Sequence, residues 1–444
     1  MSRPAKPVLP PDASVVIVGA GMSGLVAARE LSGAAIDFVV VEAADRVGGR
    51  MMGETSPLGS RLDLGGQWIG RGHHRFEALA AELGASTFPM RTPRSPAIAD
   101  GDDVLSATSG ATLLATAGLL GAEVMSHLPA RGQWNSTTLD HWLARVPSAR
   151  ARRALEVITA VTATTDTDRL SVAAFLSLIR FQGGLVTMMK TKGGAQDSLV
   201  IDSAASLTER LAMDLGDRVH TGCRVTAIRQ SADDLVVETS AGPVRADRVI
   251  VAVPPPMASK IEFDPPLPAS RDALHRNTYM GSVYKAIAVY ETPFWRDNHA
   301  EMIFLDHPGC AVFDTSPPRG PGHLCLLIGG RDARALDDGS AEQRQHTLLR
   351  RLEPHLGAAV SAPVSWHEKS WHLDSFVGGG YVALPEPGTR DGFFPIDHRP
   401  CGAIHWAGTE MATEHAGYIE GAIESGARTA GEVLATLSRE RHVS

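Results

Sequence analysis

The clearest pattern along the chain is an unbroken apolar run, SVVIV at residues 14–18, of the kind that forms a strand buried on both faces of a parallel sheet. Helical spacing of apolar positions follows in SGLVAARELSG (23–33), closed by Gly33, and a second run, IDFVVVE (36–42), completes a strand–helix–strand unit. Residues 73–192 carry mostly helical spacing with irregular loops and no parallel-strand signal. After the amphipathic AASLTERLAMDLG (204–216) the pattern changes to short strands. VHTGCRVTAIRQ, DLVVETS and PVRADRVIVAVPP read as a β-meander feeding an apolar strand at 249–253. A second strand-and-helix block spans 282 to about 375, and AIHWAG (403–408) with a glycine-rich helix closes the chain. The order is that of an α/β fold: a doubly wound parallel sheet plus meander, built from residues 1–78, 192–281 and 376–444. An interleaved α+β substrate domain is expected from 79–191 and 282–375.

Composition narrows the setting. The 444 residues are 43% hydrophobic and 21% charged, with a net charge of −8, which argues against a nucleic-acid or anionic-membrane surface. The cysteines, Cys223, Cys310, Cys325 and Cys401, are far apart, with no CxxC pair and so no metal site or disulfide framework in view. MSRPAKPVLPPDAS has no apolar segment of a secretory leader, and LSRERHVS at the other end has no hydrophobic tail. GATLLATAGLLGAEVM (110–125) is too short and glycine-broken to span a bilayer, and reads as a buried or interfacial helix. A cytoplasmic protein without a membrane anchor is the expectation.

The chemistry begins at Gly19, Gly21 and Gly24, a GxGxxG between the first strand and its helix, with Glu42 ending the next strand. The glycines permit a tight turn and let a pyrophosphate approach the helix N-terminus, while the acid accepts hydrogen bonds from ribose hydroxyls. This much suits NAD and FAD equally. RVGGR (46–50) and LDLGGQWIG (62–70) add a second Gly-Gly turn and Arg50, a pattern that resembles the FAD proteins, and the meander within a doubly wound sheet is similar to the arrangement of glutathione-reductase-type FAD domains. Two of the five tyrosines, Tyr381 and Tyr418, fall in glycine-rich turns, where simple packing is the plain alternative. Lys285 is one of six lysines against 36 arginines, and in SVYKAIAVY it shares a strand face with Val283, Ile287 and Val289. A lysine on such a face needs a polar partner unless the strand is an edge and the amine is solvated.

The motifs VVIVGAGMSGLVAARELSG, VVEAADRVGGRMMG, LDLGGQWIG, GSVYKAIAVYETPFW, VGGGY and WAGTEMATEHAGYIEGAIESG, in that order, resemble the flavin-containing amine oxidases over nearly the whole chain. The resemblance implies an FAD-dependent oxidase that moves a hydride from an amine α-carbon to flavin N5, with oxygen reduced to hydrogen peroxide. It implies cofactor contacts at Gly19, Gly21, Ser23, Gly24, Glu42, Arg50, Gly65, Gly66, Gln67, Trp68, Val225, Gly408, Glu410 and Ile419. It further implies an aromatic pair, Tyr381 and Tyr418, around the amine, Lys285 and Trp371 at a water near the flavin, and Gln196 in the cavity wall. A homodimer is compatible with it.

The departures from the family pattern matter too. Gly380 stands where some relatives attach FAD through cysteine, so the cofactor is expected to be non-covalent; Ala44 replaces an arginine on the adenosine side, and IDSAAS replaces a glycine pair after GGAQ. His73 and His74 have no motif around them and read as surface histidines. An L-amino-acid oxidase, needing an arginine for the carboxylate (Arg180 is one candidate), a desaturase, and a flavin-binding subunit without turnover stay open as alternatives.

Overall fold

The computed structural model describes residues 7–91, 97–129, 131–231, 234–297 and 302–441; the first six residues and the last three, read above for leader and anchor signals, lie outside them. The expected strand–helix–strand unit forms as β1 (Asp12–Val18), α1 (Met22–Gly33) and β2 (Phe38–Val41), with Val15 opposite Phe38 and Val18 opposite Val41 in parallel register. The meander follows as β3 (Val225–Gln230), β4 (Leu235–Thr239) and β5 (Gly242–Val251). β5 runs parallel to all of β1, Asp12 opposite Arg245 and Val18 opposite Val251. On its other edge β5 pairs first with β4 and then, in parallel, with the strand Ile404–Trp406. One sheet is therefore assembled from three distant stretches of chain.

Where its parallel strands are central, at residues 15–18, 38–41 and 249–251, they are apolar because both faces are covered. Val15, Ile17 and Val40 pack among Leu25, Leu31 and Val433, while Val16, Val39 and Val41 belong to a second cluster with Val244 and Val249. α1 and the final helix, Ile419–Arg441, meet backbone to backbone: a Cβ on Gly426 would lie 2.3 Å from the Ser23 carbonyl oxygen. Glycine is the residue that permits this approach.

The second sheet is ordered Ser365–Ser370, β6 (Val283–Tyr290), Gly322–Gly329, Cys310–Asp314, Met302–Phe304, Ala97–Asp100, Asp103–Val104. β6 is paired on both edges and buried along its whole length. Tyr284, Ala286, Ala288 and Tyr290 face a core with Trp295 and Phe304; Val283, Ile287 and Val289 face the nucleotide-binding half, against Trp371, Leu62 and Leu64. Lys285 therefore lies on an internal strand, which removes the solvated-edge alternative.

Two expectations are corrected. Ala97–Asp100 pairs in parallel with Met302–Phe304, although 73–192 showed no parallel-strand signal; four residues between loops are too few to display a period. For the apolar helix Gly110–Ser126, read as buried or interfacial, only the buried half of the reading fails: Ala115 and Ala122 face inward, whereas Leu113, Leu120 and Val124 are exposed.

Candidate active site

A cavity of about 750 Å³ runs from the end of β1 to the second sheet. At its nucleotide end Gly19 has φ +104°, and a Cβ on Gly21, which caps α1, would meet nothing within 4 Å. The turn is thus open where a phosphate needs room. Gly24 has a different role. Its Cβ would fall 2.0 Å from the Gly19 carbonyl oxygen, so this glycine, read as a cofactor contact, closes the turn by helix–strand packing and does not line the cavity.

Glu42 lines the cavity with both carboxylate oxygens already holding one backbone donor, Ala20 N at 2.8 Å and Ala44 N at 2.8 Å. Burial pushes its carboxyl up from the ordinary range. Lone pairs remain on each oxygen for ribose hydroxyls. Arg46, which sequence reading passed over, ties down the RVGGR turn through the carbonyls of Val47, Gly49 and Met51. Arg50 lines the cavity and is gripped by Glu410 at 2.6 and 3.0 Å, while its Nη1 also donates to the Tyr381 carbonyl at 2.8 Å. Glu410 and Gly408, expected to touch the cofactor, do not line the cavity. Glu410 is buried and uses its carboxylate on Arg50 and on Ala383 N, so its job is to aim the arginine. Ser23, Gly65, Gly66, Gln67, Trp68, Val225 and Ile419 do line it.

Midway along the cavity stands Lys285, 3% exposed, with Nζ donating to Gly65 O at 2.8 Å and Gln67 Oε1 at 2.7 Å and lying 5.4 Å from the centre of the Trp68 ring. Burial pulls its ammonium below the usual lysine range, opposed by the charge of nearby Asp63. Asp63 is a second residue without a sequence signal. It accepts Ala204 N and Ala205 N at 2.8 and 3.0 Å, capping the helix Ala205–Leu215, and burial pushes it up to about 6. The residues of IDSAAS do not line the cavity. Trp371 is fixed by its Nε1 donating to Leu64 O at 2.8 Å, with the Arg46 and Lys369 cations 5.5 and 5.4 Å from its ring centre.

Tyr381 and Tyr418 both line the cavity. Burial raises both phenols above the ordinary range, and the Tyr381 hydroxyl is buried with no hydrogen-bond partner among the described residues. The turn carrying Tyr418 is pinned by Thr409, whose Oγ1 accepts Gly417 N at 2.7 Å and donates to Tyr418 O at 2.8 Å. His73 corrects another expectation: it is 2% exposed and packs against Tyr418, whereas His74 is on the surface as read. Its Nδ1 accepts Gly70 N at 2.9 Å, which fixes the neutral tautomer with the proton on Nε2, and burial lowers it to about 3.

Beyond the tyrosines the lining comes from residues 158–196 and 302–327, including Ile158, Val161, Met188, Ile303, Val312 and Phe313, with Thr162, Gln182, Thr191 and Gln196 as its polar members. The charged lining residues lie elsewhere: Glu42, Arg46, Arg50, Arg224 and Lys260 toward the nucleotide end, and Lys285 and Asp374 beside Trp371. Arg180 is exposed and does not reach the cavity.

The family model of flavin-containing amine oxidoreductases matches residues 22–434. The chain belongs to that family. Its relatives include a flavin-containing monoamine oxidase, AofH, of Mycobacterium tuberculosis, 33% identical over 443 residues and covering 95% of this chain and 97% of that protein. Human flavin-containing amine oxidase B is 30% identical over 456 residues, covering 96% and 86%. Among solved structures, cyclohexylamine oxidase from Brevibacterium oxydans superposes with a TM-score of 0.91 at 27% identity over 96% of this chain and all 100% of that one. A putrescine oxidase bound to putrescine gives 0.86 at 28% identity, covering 97% and 100%. The amine oxidase is thus an FAD-dependent oxidoreductase acting on amines. The open glycine turn, the acid at the end of β2 and the aimed Arg50 fit that cofactor. Gly19, Gly21, Ser23, Glu42, Arg50, residues 65–68, Val225 and Ile419, which line the cavity, are the ones that could hold it.

Proposed function

We propose that this amine oxidase acts on apolar monoamines, which bind in the uncharged part of the cavity between Tyr381 and Tyr418. One observation carries the reading: no residue of 158–196 or 302–327 that lines the cavity bears a charge. A diamine would leave its second ammonium there unpaired, and an amino acid its carboxylate, each at a heavy desolvation cost. The same surroundings favour the neutral amine over its ammonium, and the neutral form is the one with a lone pair to give. FAD, once bound, supplies the hydride acceptor.

The chain's own residues orient and enclose. The two tyrosine rings fix the direction of the amine's C–H bond, with Arg50, through Tyr381 O, and Thr409, through the Gly417–Tyr418 turn, holding them in place. Lys285, held at Gly65 O and Gln67, keeps a third ammonium proton for a water or reduced oxygen. Trp371 closes the site beside it. The reading takes oxygen as the electron acceptor, a cytoplasmic setting, a homodimer and the interleaved two-domain division given above; no helix among the described residues is long and apolar enough to cross a membrane.

A peroxide-coupled panel of cyclohexylamine, benzylamine, putrescine and L-leucine tests the substrate class. The two monoamines should exceed the other two in kcat/KM by about 100-fold, the scale of an unpaired buried charge. Putrescine or leucine as the better substrate would overturn it.

A further inference from the structure

Two glutamines interrupt the apolar end of the cavity, and both are tethered the same way. Gln182 Nε2 donates to Ala416 O at 3.3 Å, and Gln196 Nε2 donates to Met188 O at 3.1 Å. The tether settles which end of each carboxamide is left over, because only the NH2 group can donate to a carbonyl. Among the described residues no donor reaches either Oε1.

Gln182 is the more tightly held. It follows the helix Val172–Phe181, is 7% exposed, and sits so close to the turn before Tyr418 that a Cβ on Gly417 would lie 2.8 Å from its Nε2. Gln182, Gly417 and Tyr418 all line the cavity. An acceptor oxygen is thus held at the turn that carries one of the two tyrosines, in a region with few polar groups.

A neutral amine brings N–H donors into that region. A ring face is a weak acceptor for them, and an unpaired buried N–H is costly. We propose that Gln182 Oε1 accepts a hydrogen bond from the N–H of the bound amine and so determines specificity for ligands that carry one. This deepens the apolar-monoamine reading and rests on it. A carboxamide suits the task better than a carboxylate, because a neutral acceptor binds the N–H without favouring the ammonium, the form that lacks the lone pair.

The test uses equilibrium binding to the oxidised, FAD-loaded enzyme with two ring-sized probes that it cannot turn over. 1-Methylcyclohexylamine has N–H groups and no α-hydrogen; cyclohexanone has no donor. Calorimetry on the parent, Gln182→Met and Gln182→Glu gives the Kd values. Met keeps the length and loses the acceptor, so the amine should bind roughly 3–10-fold more weakly, the loss of one neutral hydrogen bond, while cyclohexanone changes less than about two-fold. Glu keeps acceptor oxygens and loses the donor to Ala416 O, so it should bind the amine at least as tightly as the parent. Unchanged amine binding in Gln182→Met overturns the assignment. Parallel weakening of both probes in both variants does so too, since it marks a residue that only braces the Gly417 turn. If the parent binds neither probe, the apolar-monoamine reading falls and takes this assignment with it.

Discussion

His73 and Tyr418 are in ring contact, their centroids 5.0 Å apart and their planes inclined at 57°, and His415 packs edge-on to the same histidine at 4.9 Å. One ring proposed to face the amine therefore leans on an imidazole that stays neutral across the working pH range. His73→Asn can still place an acceptor near Gly70 N, but it removes the ring. Flavin reduction by a good substrate should slow several-fold while FAD content stays near normal. Stopped-flow measurement with the cofactor ratio checks this.

The same variant carries a stability signature. His73 is depressed from 6.5 to about 3, so as pH falls below 6.5 the unfolded chain takes up a proton that the folded protein refuses. The parent should lose about 1.4 kcal/mol of stability per pH unit from this group between those values. His73→Asn should escape that loss, so any deficit against the parent at pH 7 shrinks as pH falls toward 5. Urea unfolding at pH 7, 6 and 5 reads it; a constant gap would mean that the histidine ionises freely.

Lys285 should govern the oxidative half of the cycle more than amine binding. In Lys285→Met the reaction of reduced enzyme with oxygen is expected to slow by about ten-fold or more, equivalent to ~1.4 kcal/mol of barrier per decade. Amine Kd should move little. An unaltered reoxidation rate in a folded, FAD-loaded variant would remove the lysine from that step.

For the aromatic pair, the expected order of anaerobic flavin reduction is parent, then phenylalanine, then alanine, at both Tyr381 and Tyr418. Misplacing a reacting atom by about 1 Å costs roughly a hundred-fold, so the alanine variants should fall by that order. Alanine variants as fast as the parent would show that the rings do not orient the amine.

FAD should leave on acid precipitation, because Gly380 stands where a thioether would need cysteine. Even a Cβ there would lie only 3.0 Å from Val283 Cγ1. Yellow colour retained in the pellet would contradict this.

What the sequence made legible was whatever a short stretch of chain encodes by itself. The SVVIV run, the glycine turn and Glu42 sit within one strand–helix–strand unit, and each part constrains its neighbours in sequence. Lys285 was readable because one charge broke a strand face that was otherwise apolar. His73, Asp63 and Gln182 were not, since their roles depend on partners far along the chain: Tyr418, the 204–205 amides and Ala416. Glu410 was read as a cofactor contact, yet its carboxylate is taken up by Arg50 and it does not line the cavity, a pairing across 360 residues that sequence order does not reveal.

The pairing of β1 with β5, and of β5 with Ile404–Trp406, has a consequence for the order of synthesis. A ribosome that has released the GxGxxG turn has made a phosphate loop whose strand still lacks a neighbour on one edge. Val251 must emerge before Val18 is flanked on both sides, and Gly426 before α1 is covered at Ser23. Such distant contacts form slowly, and their loop-closure entropy is lost before any contact offsets it. Flavin capture is therefore expected only after the last helix has been made, and a transcript cut short before that helix should yield colourless protein.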